Sequence, residues 1–281
     1  MPDSDILRLL QCPDCTAPIA RSNSQYLCRA CGREFANLES TPDLTPLTSV
    51  KQPLLLDDEN LKKWYAQSDV GKEYFYTSAN FLIRWVNLAG HRDIRKMRST
   101  VSSSSNRTIV FDLGCGDGAH IPFMNSGDIY IGGDIDAPAV EILRKNNPET
   151  FAARMDAYGL PIKSDSVDHI VSVYALEHMA YMDLILEELK RILKPGGHVF
   201  ISVPNEGGLA WSVGRYFTSY QKFHSEDLDY NRVIMTEHLN CIWQMERTLK
   251  RHFTMLKQIR FPLAIPSKHS NLVTTFHCRA D

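Results

Sequence analysis

Between Thr108 and Val203, short apolar runs alternate with longer segments of mixed polarity. The runs Thr108–Leu113, Ile129–Gly133, Thr150–Met155, His169–Val173 and His198–Val203 are largely β-branched or otherwise apolar. Near-continuous apolar runs of this length are expected of parallel strands buried on both faces. Between them, Ala139–Lys145, opened by Pro138, reads as a helix, because proline suits the first helical turn. Tyr181–Leu193 reads as a second, with Leu184, Ile185, Leu189, Ile192 and Leu193 at helical spacing, stopped by Lys194-Pro195-Gly196-Gly197. A further helix is expected from about Ala119, late or kinked because of Pro122. This alternation predicts an α/β fold, a doubly wound sheet with its ligand at the carboxyl ends of the strands.

The flanks are less regular. Met255–Phe261 and Leu272–His277 read as two more strands, preceded by a helix over Thr236–His252 with Thr236 as N-cap. Pro204 to Arg232 is an insertion rich in aromatics (Trp211, Tyr216, Phe217, Tyr220, Phe223, Tyr230) and suits a cover over a pocket at about 204–235. Upstream, residues 36–58 read as a connecting segment with little regular structure. Glu59–Ala89 reads as helical, with Trp64, Tyr65, Tyr74, Phe75, Tyr76, Phe81 and Trp85 as core contacts or, for some, pocket lining. His91–Arg98 carries four basic residues against one acid and leads into the serine-rich stretch 99–106. It reads as a solvated linker, with a phosphate-contacting patch as the alternative.

The cysteines divide the chain into an N-terminal module of residues 1–40, a linker with covering helices at 41–107, and a main domain at 108–281. Cys12-Pro-Asp-Cys15 and Cys28-Arg-Ala-Cys31 are two C-x-x-C knuckles. Together they supply four thiolates for a tetrahedral zinc ion, with iron as the alternative metal. All four coordination positions would be filled, so the zinc is expected to be structural. Strand candidates within Ala20–Leu27 and at Glu34–Phe35 suit a small β-hairpin module fastened by metal.

Chemistry concentrates at the strand tips. The first strand of the main domain ends in Asp112-Leu113-Gly114-Cys115-Gly116-Asp117-Gly118, where glycines permit a tight turn and close approach of a ligand to the backbone. This spacing is not the G-x-G-x-x-G of dinucleotide binding, which argues against a dehydrogenase. The second strand ends at Asp134-Ile135, whose carboxylate can accept from two ribose hydroxyls. The third ends at Asp156-Ala157, where an adenine amino group could be met. The fourth is followed by Tyr174-Ala175-Leu176-Glu177-His178.

On these residues, together with Leu193-Lys194-Pro195-Gly196-Gly197, the chain resembles the class I S-adenosylmethionine-dependent methyltransferases. The resemblance is close over about 108–203 and loose elsewhere. It implies a seven-stranded, mostly parallel Rossmann-like sheet ending in an antiparallel pair. It also implies a cofactor site of Asp112, Gly114, Cys115, Gly116, Asp134, Ile135, Asp156, Ala157 and Tyr174. The cysteine module is similar to the zinc ribbons at the start of some methyltransferases and to the small activator of tRNA and rRNA methyltransferases. If the acceptor is a hydroxyl, a base is useful, and His178, just past a sheet tip, is the first candidate, followed by His224 and His238. Asn205 and Glu206 follow the fifth strand and could also face the pocket.

Composition narrows the partners. The net charge is -2, the chain is 43% hydrophobic, and the sequence has no ~20-residue apolar stretch that would span a membrane. The N-terminus lacks the features of a signal peptide, so the cytoplasm is the expected compartment. A small-molecule acceptor is therefore expected, with RNA methylation and a non-catalytic scaffold as alternatives. The sequence does not set the oligomeric state.

Overall fold

The computed structural model describes residues 3–22, 25–39, 41–50, 63–64, 81–101, 107–225 and 227–281. The aromatic positions Tyr65, Tyr74, Phe75 and Tyr76 and most of the serine-rich stretch lie outside these residues.

The chain begins with α1 (Asp3–Leu7) and a three-stranded antiparallel sheet of β1 (Ile19–Ser22), β2 (Gln25–Cys28) and β3 (Glu34–Phe35). A two-stranded ladder follows, β4 (Asn37–Leu38) with β5 (Thr41–Pro42). Then comes α2 (Phe81–Arg98). The main sheet contains β6 (Ile109–Leu113), β7 (Ile129–Asp134), β8 (Phe151–Arg154), β9 (Val167–Val173), β10 (Leu193–Pro204), β11 (Thr254–Phe261) and β12 (Val273–Arg279). Its order is β11-β12-β10-β9-β6-β7-β8, with β6 to β11 running the same way and β12 antiparallel to its neighbours β10 and β11. The helices of this half are α3 (Ala137–Asn146), α4 (Met182–Ile192), α5 (Leu209–Arg215), α6 (Gln221–Phe223), α7 (Tyr230–Glu237) and α8 (Ile242–His252). From β6 the chain first runs outward through β7 and β8, then crosses to β9 on the other side. The gap between the tips of β6 and β9 is therefore the topological switch point, where such sheets bind ligands.

Hydrophobic burial holds this sheet. Phe111, Ile131, Ile170, Ile201 and Phe276 are buried, and Ile185, Leu189 and Leu249 pack on them from α4 and α8. Each such side chain contributes about 1.5–3 kcal/mol on burial. The cysteine module joins the same core through Ile6, Leu10, Tyr26, Phe35 and Leu44. Leu10 pairs with Ile162, and Asp43 forms a parallel bridge with Arg154. The module thus covers the outer edge of β8, a strand edge that would otherwise be exposed.

Four expectations change. After the glycine loop there is only a 3-10 turn, Ile121–Phe123, because Pro122 removes a donor and the chain reaches β7 within a few residues. The helix expected over Thr236–His252 is two helices. Asp229, not Thr236, caps α7, its carboxylate accepting from the Asn231 and Arg232 N–H groups. Thr236 lies inside α7 and donates its hydroxyl to Arg232 O. The basic stretch 91–98 is no linker: it ends α2, with His91, Met97 and Arg98 buried. Arg98 Nη2 lies 2.9 Å from Asp128, so the buried cation has its counter-ion. The connecting segment is also more ordered than expected, since β4, β5 and Leu44, whose N–H donates to Arg154 O, bind it to its neighbours.

Candidate functional site

The glycine loop follows β6. Gly114 and Gly116 take left-handed φ values of +73° and +49°. A Cβ on Gly114 would lie 2.4 Å from Ala175 Cβ, so this loop rests directly against the loop after β9. Nothing stands within 4 Å of a Cβ on Gly116, so the backbone there faces open space. Asp112 points beneath the loop. It is buried, accepts a 2.8 Å bond from the Tyr130 hydroxyl, and is pushed up to about 7 by burial. The Cys115 side chain is also turned inward, against Tyr130, Val140 and Leu143, so its part at the loop surface falls to its backbone.

Asp134, at the tip of β7, spans the crevice. One carboxylate oxygen accepts from Gly116 N at 2.9 Å and the other from Asp136 N at 2.9 Å. Burial raises its pKa above the usual carboxylate range. Ile135 beside it is 53% exposed. Asp156 follows β8, accepting from Tyr158 N at 2.9 Å and from the Ser49 hydroxyl. Ala157 is half-buried beside it. Ser49 is a contact that no sequence spacing signals. It belongs to a segment held by the first cysteine knuckle, where Asp14 accepts from Leu47 N at 2.9 Å.

The loop after β9 closes the other wall. Tyr174 begins it at φ +55°, and its hydroxyl inserts into α2, donating to Val86 O at 2.9 Å and accepting from Gly90 N at 3.1 Å. Its side chain is therefore an anchor for α2. Asn240, between α7 and α8, donates to Leu176 O at 2.9 Å and to Met179 O at 2.6 Å and fixes the loop from outside.

That loop presents His178. Its Nδ1 lies 3.0 Å from Glu237 O, a contact that makes Nδ1 the donor and leaves Nε2 with the lone pair. Surrounding protein, and then His238, lower its pKa. His238 meets it edge to face, with ring centroids 4.7 Å apart. The Nδ1 of His238 lies 2.8 Å from Glu206, a carboxylate that also accepts from Trp211 Nε1 at 2.5 Å. Burial opposes ionisation of Glu206, but the bond and charge of His238, the charge of Arg215 and the bond from Trp211 together hold the carboxyl below its usual range. Glu177 is buried with one oxygen unpartnered and is raised to about 7 by burial.

Two of the three histidine candidates thus meet, backed by Glu206. His224 does not join them: it stacks on Tyr220 at 4.5 Å, inside the insertion. Within that insertion Trp211 reaches the cluster, whereas Phe223 and Tyr230 pack on Trp64.

The four knuckle cysteines converge as the spacing predicts. Their sulfurs all lie within 4.8 Å of one another, with Cys12 to Cys31 at 3.8 Å and Cys15 to Cys28 at 3.5 Å. A tetrahedron with metal–sulfur bonds of about 2.3 Å has edges of about 3.8 Å, so the donor set fits a metal ion of zinc size.

Residues 111–201 match the sequence profile of a methyltransferase domain family. The chain is 32% identical over 111 residues to a tRNA (carboxymethyluridine(34)-5-O)-methyltransferase of Arabidopsis thaliana, covering 38% of this chain and 27% of that one. It is 30% identical over 101 residues to a ubiquinone biosynthesis O-methyltransferase of Chelativorans sp. (strain BNC1), covering 34% and 40%. The chain therefore spans less than half of either relative. Among solved structures, geranyl diphosphate C-methyltransferase of Streptomyces coelicolor A3(2) superposes with TM-score 0.51 at 9% identity, covering 68% of this chain and 76% of that one. At that identity the match speaks for the fold alone, and the fold is that of the class I methyltransferases.

Proposed function

We propose that this protein transfers a methyl group from S-adenosylmethionine to a hydroxyl oxygen of a small-molecule acceptor, and that Cys12, Cys15, Cys28 and Cys31 hold a structural zinc ion. One observation carries the reading: the glycine loop, with Asp134 bonded to Gly116 N, packs against the loop that bears His178. A cofactor crevice and an acid–base pair are thereby adjacent.

In this reading Asp134 uses its remaining lone pairs for the ribose hydroxyls, and Asp156 accepts from the adenine amino group. The open backbone at Gly116 passes beneath the cofactor, with Ile135 and Ala157 beside the base. When bound, the cofactor supplies a methyl group on a sulfonium, already a strong electrophile. The protein's contribution is mainly to align the acceptor in line with it. The Nε2 atoms of His178 and His238 are the groups suited to take the hydroxyl proton, and Glu206 accepts from His238 Nδ1 and orients that ring.

A tRNA acceptor is the alternative, suggested by the Arabidopsis relative. Of the basic stretch, His91 and Arg98 are buried and unavailable to phosphate, while Arg92, Arg95 and Lys96 are exposed. Calorimetric titration tests the cofactor: S-adenosylhomocysteine should bind and NAD should not. Absence of binding by the first would overturn the reading. Metal analysis should find one zinc per chain, lost when the four cysteines become serine.

A further inference from the structure

Arg215 closes α5, and its Nη1 is buried with no hydrogen-bond partner. Among the described residues no carboxylate forms an ion pair with it. The contrast with Arg98, equally part of a helix end, is direct, since Arg98 has Asp128 at 2.9 Å. The side chain is half-buried and the nearby Glu206 offsets its charge without accepting from it, so the cost falls on Nη1, a buried donor that asks for an acceptor. Its surroundings say where that ligand would lie. Trp211, one helical turn earlier on the same face, donates to Glu206, the carboxylate that holds His238. The charge of Arg215 is also among the influences that keep Glu206 ionised. Immediately after Arg215 the helix widens into a π turn, Tyr216–Tyr220, an irregularity that recurs at functional sites.

We propose that Arg215 binds a carboxylate of the acceptor, so that the substrate is a hydroxy acid anchored at Arg215 with its hydroxyl toward His178 and His238. This rests on the methyltransferase reading above. The planar guanidinium suits a carboxylate in two-point contact. A carboxylate fits better than a phosphate dianion because Glu206 and Glu237 stand close to the same two histidines and repel additional negative charge.

The test uses the full chain saturated with S-adenosylhomocysteine and a panel of hydroxybenzoates and hydroxyalkanoates, each against its neutral amide, with inorganic phosphate as a further probe. At least one acid should bind about tenfold or more tightly than its amide. Arg215→Gln should abolish that preference, and Arg215→Lys should retain part of it. Neither change should alter affinity for S-adenosylhomocysteine or lower Tm, because no partner is lost. Equal binding of acids and amides, undiminished binding of the acid by Arg215→Gln, binding of phosphate alone, or binding of no panel member overturns the proposal. Failure of the unmodified protein to bind S-adenosylhomocysteine instead sinks the methyltransferase reading on which it stands.

Discussion

Among the histidines that meet in this molecule, the pair His91–His120 and the pair His178–His238 have surroundings that make them opposites. His91 and His120 face each other with Nδ1 atoms 3.0 Å apart and rings inclined by 28°, and both Nε2 atoms are buried without a partner. One Nδ1 must donate and the other accept, and burial favours the neutral form of both rings. Burial lowers His91 to about 4 and, with the neighbouring His91, lowers His120 to about 3. His178 and His238 meet edge to face, and each Nδ1 is engaged by an acceptor, Glu237 O for one and the Glu206 carboxylate for the other. The His178 ring also remains 40% exposed. Histidine alone therefore does not mark a reactive position here. What distinguishes the second pair is an acceptor behind each Nδ1, which orients the ring, with His178 Nε2 3.9 Å from the Glu177 carboxylate.

The sharpest way to break this comparison is through turnover. With a hydroxyl acceptor, His238→Ala should reduce kcat by about 10²–10⁴-fold, the usual contribution of a general base. Glu206→Gln, which removes the carboxylate behind His238 Nδ1, should have a smaller effect of the same kind. His120→Leu should act on stability rather than on turnover. Equal losses of kcat in His120→Leu and His238→Ala would erase the distinction between the pairs.

Acid unfolding provides the next measurement. Both buried histidines have folded pKa values below the unfolded value of about 6.5, so the unfolded chain takes up protons first. Their contribution is fully present above that pH and declines as pH falls toward 4, by about 1.4 kcal/mol per pH unit for each histidine. Glu177, raised to about 7, works in the opposite direction by keeping its proton in the folded state. The difference between wild type and His120→Leu in urea unfolding isolates the pair. The loss between pH 6.5 and 5 should be smaller in the variant, and identical losses would show that the pair is not the sensor.

How much of this was legible in the sequence follows from the range of each interaction. The strands and their acid tips were readable because burial on both faces leaves uninterrupted apolar runs, and Asp112, Asp134 and Asp156 end such runs. The knuckle cysteines were readable because their ligand spacing is local. The contacts that give the site its character are long-range and have no period. Ser49 reaches Asp156 from the other end of the chain, and Glu206 meets His238 across the whole insertion. The burial of Arg98 was misread because a count of charges cannot show that Asp128 will stand beside one of them. Thr236 looked like a helix start because the break between α7, capped by Asp229, and α8, which starts after Cys241, carries no glycine or proline to signal it.

The smallest effect belongs to Tyr174, which joins the two regions. Its ring lies edge-on to His91 with centroids 6.2 Å apart, and its backbone opens the loop that carries His178. Tyr174→Phe removes the hydroxyl that bridges Val86 O and Gly90 N and so both hydrogen bonds that tie the loop to α2. Loss of such hydrogen bonds costs about 1–2 kcal/mol and should lower Tm by about 2–8 °C. If the side chain only anchors α2, affinity for S-adenosylhomocysteine should change by less than about threefold, roughly 0.7 kcal/mol. A tenfold weakening at unchanged Tm would place the hydroxyl in the cofactor site and join the sealed histidines to the reactive ones as parts of one device.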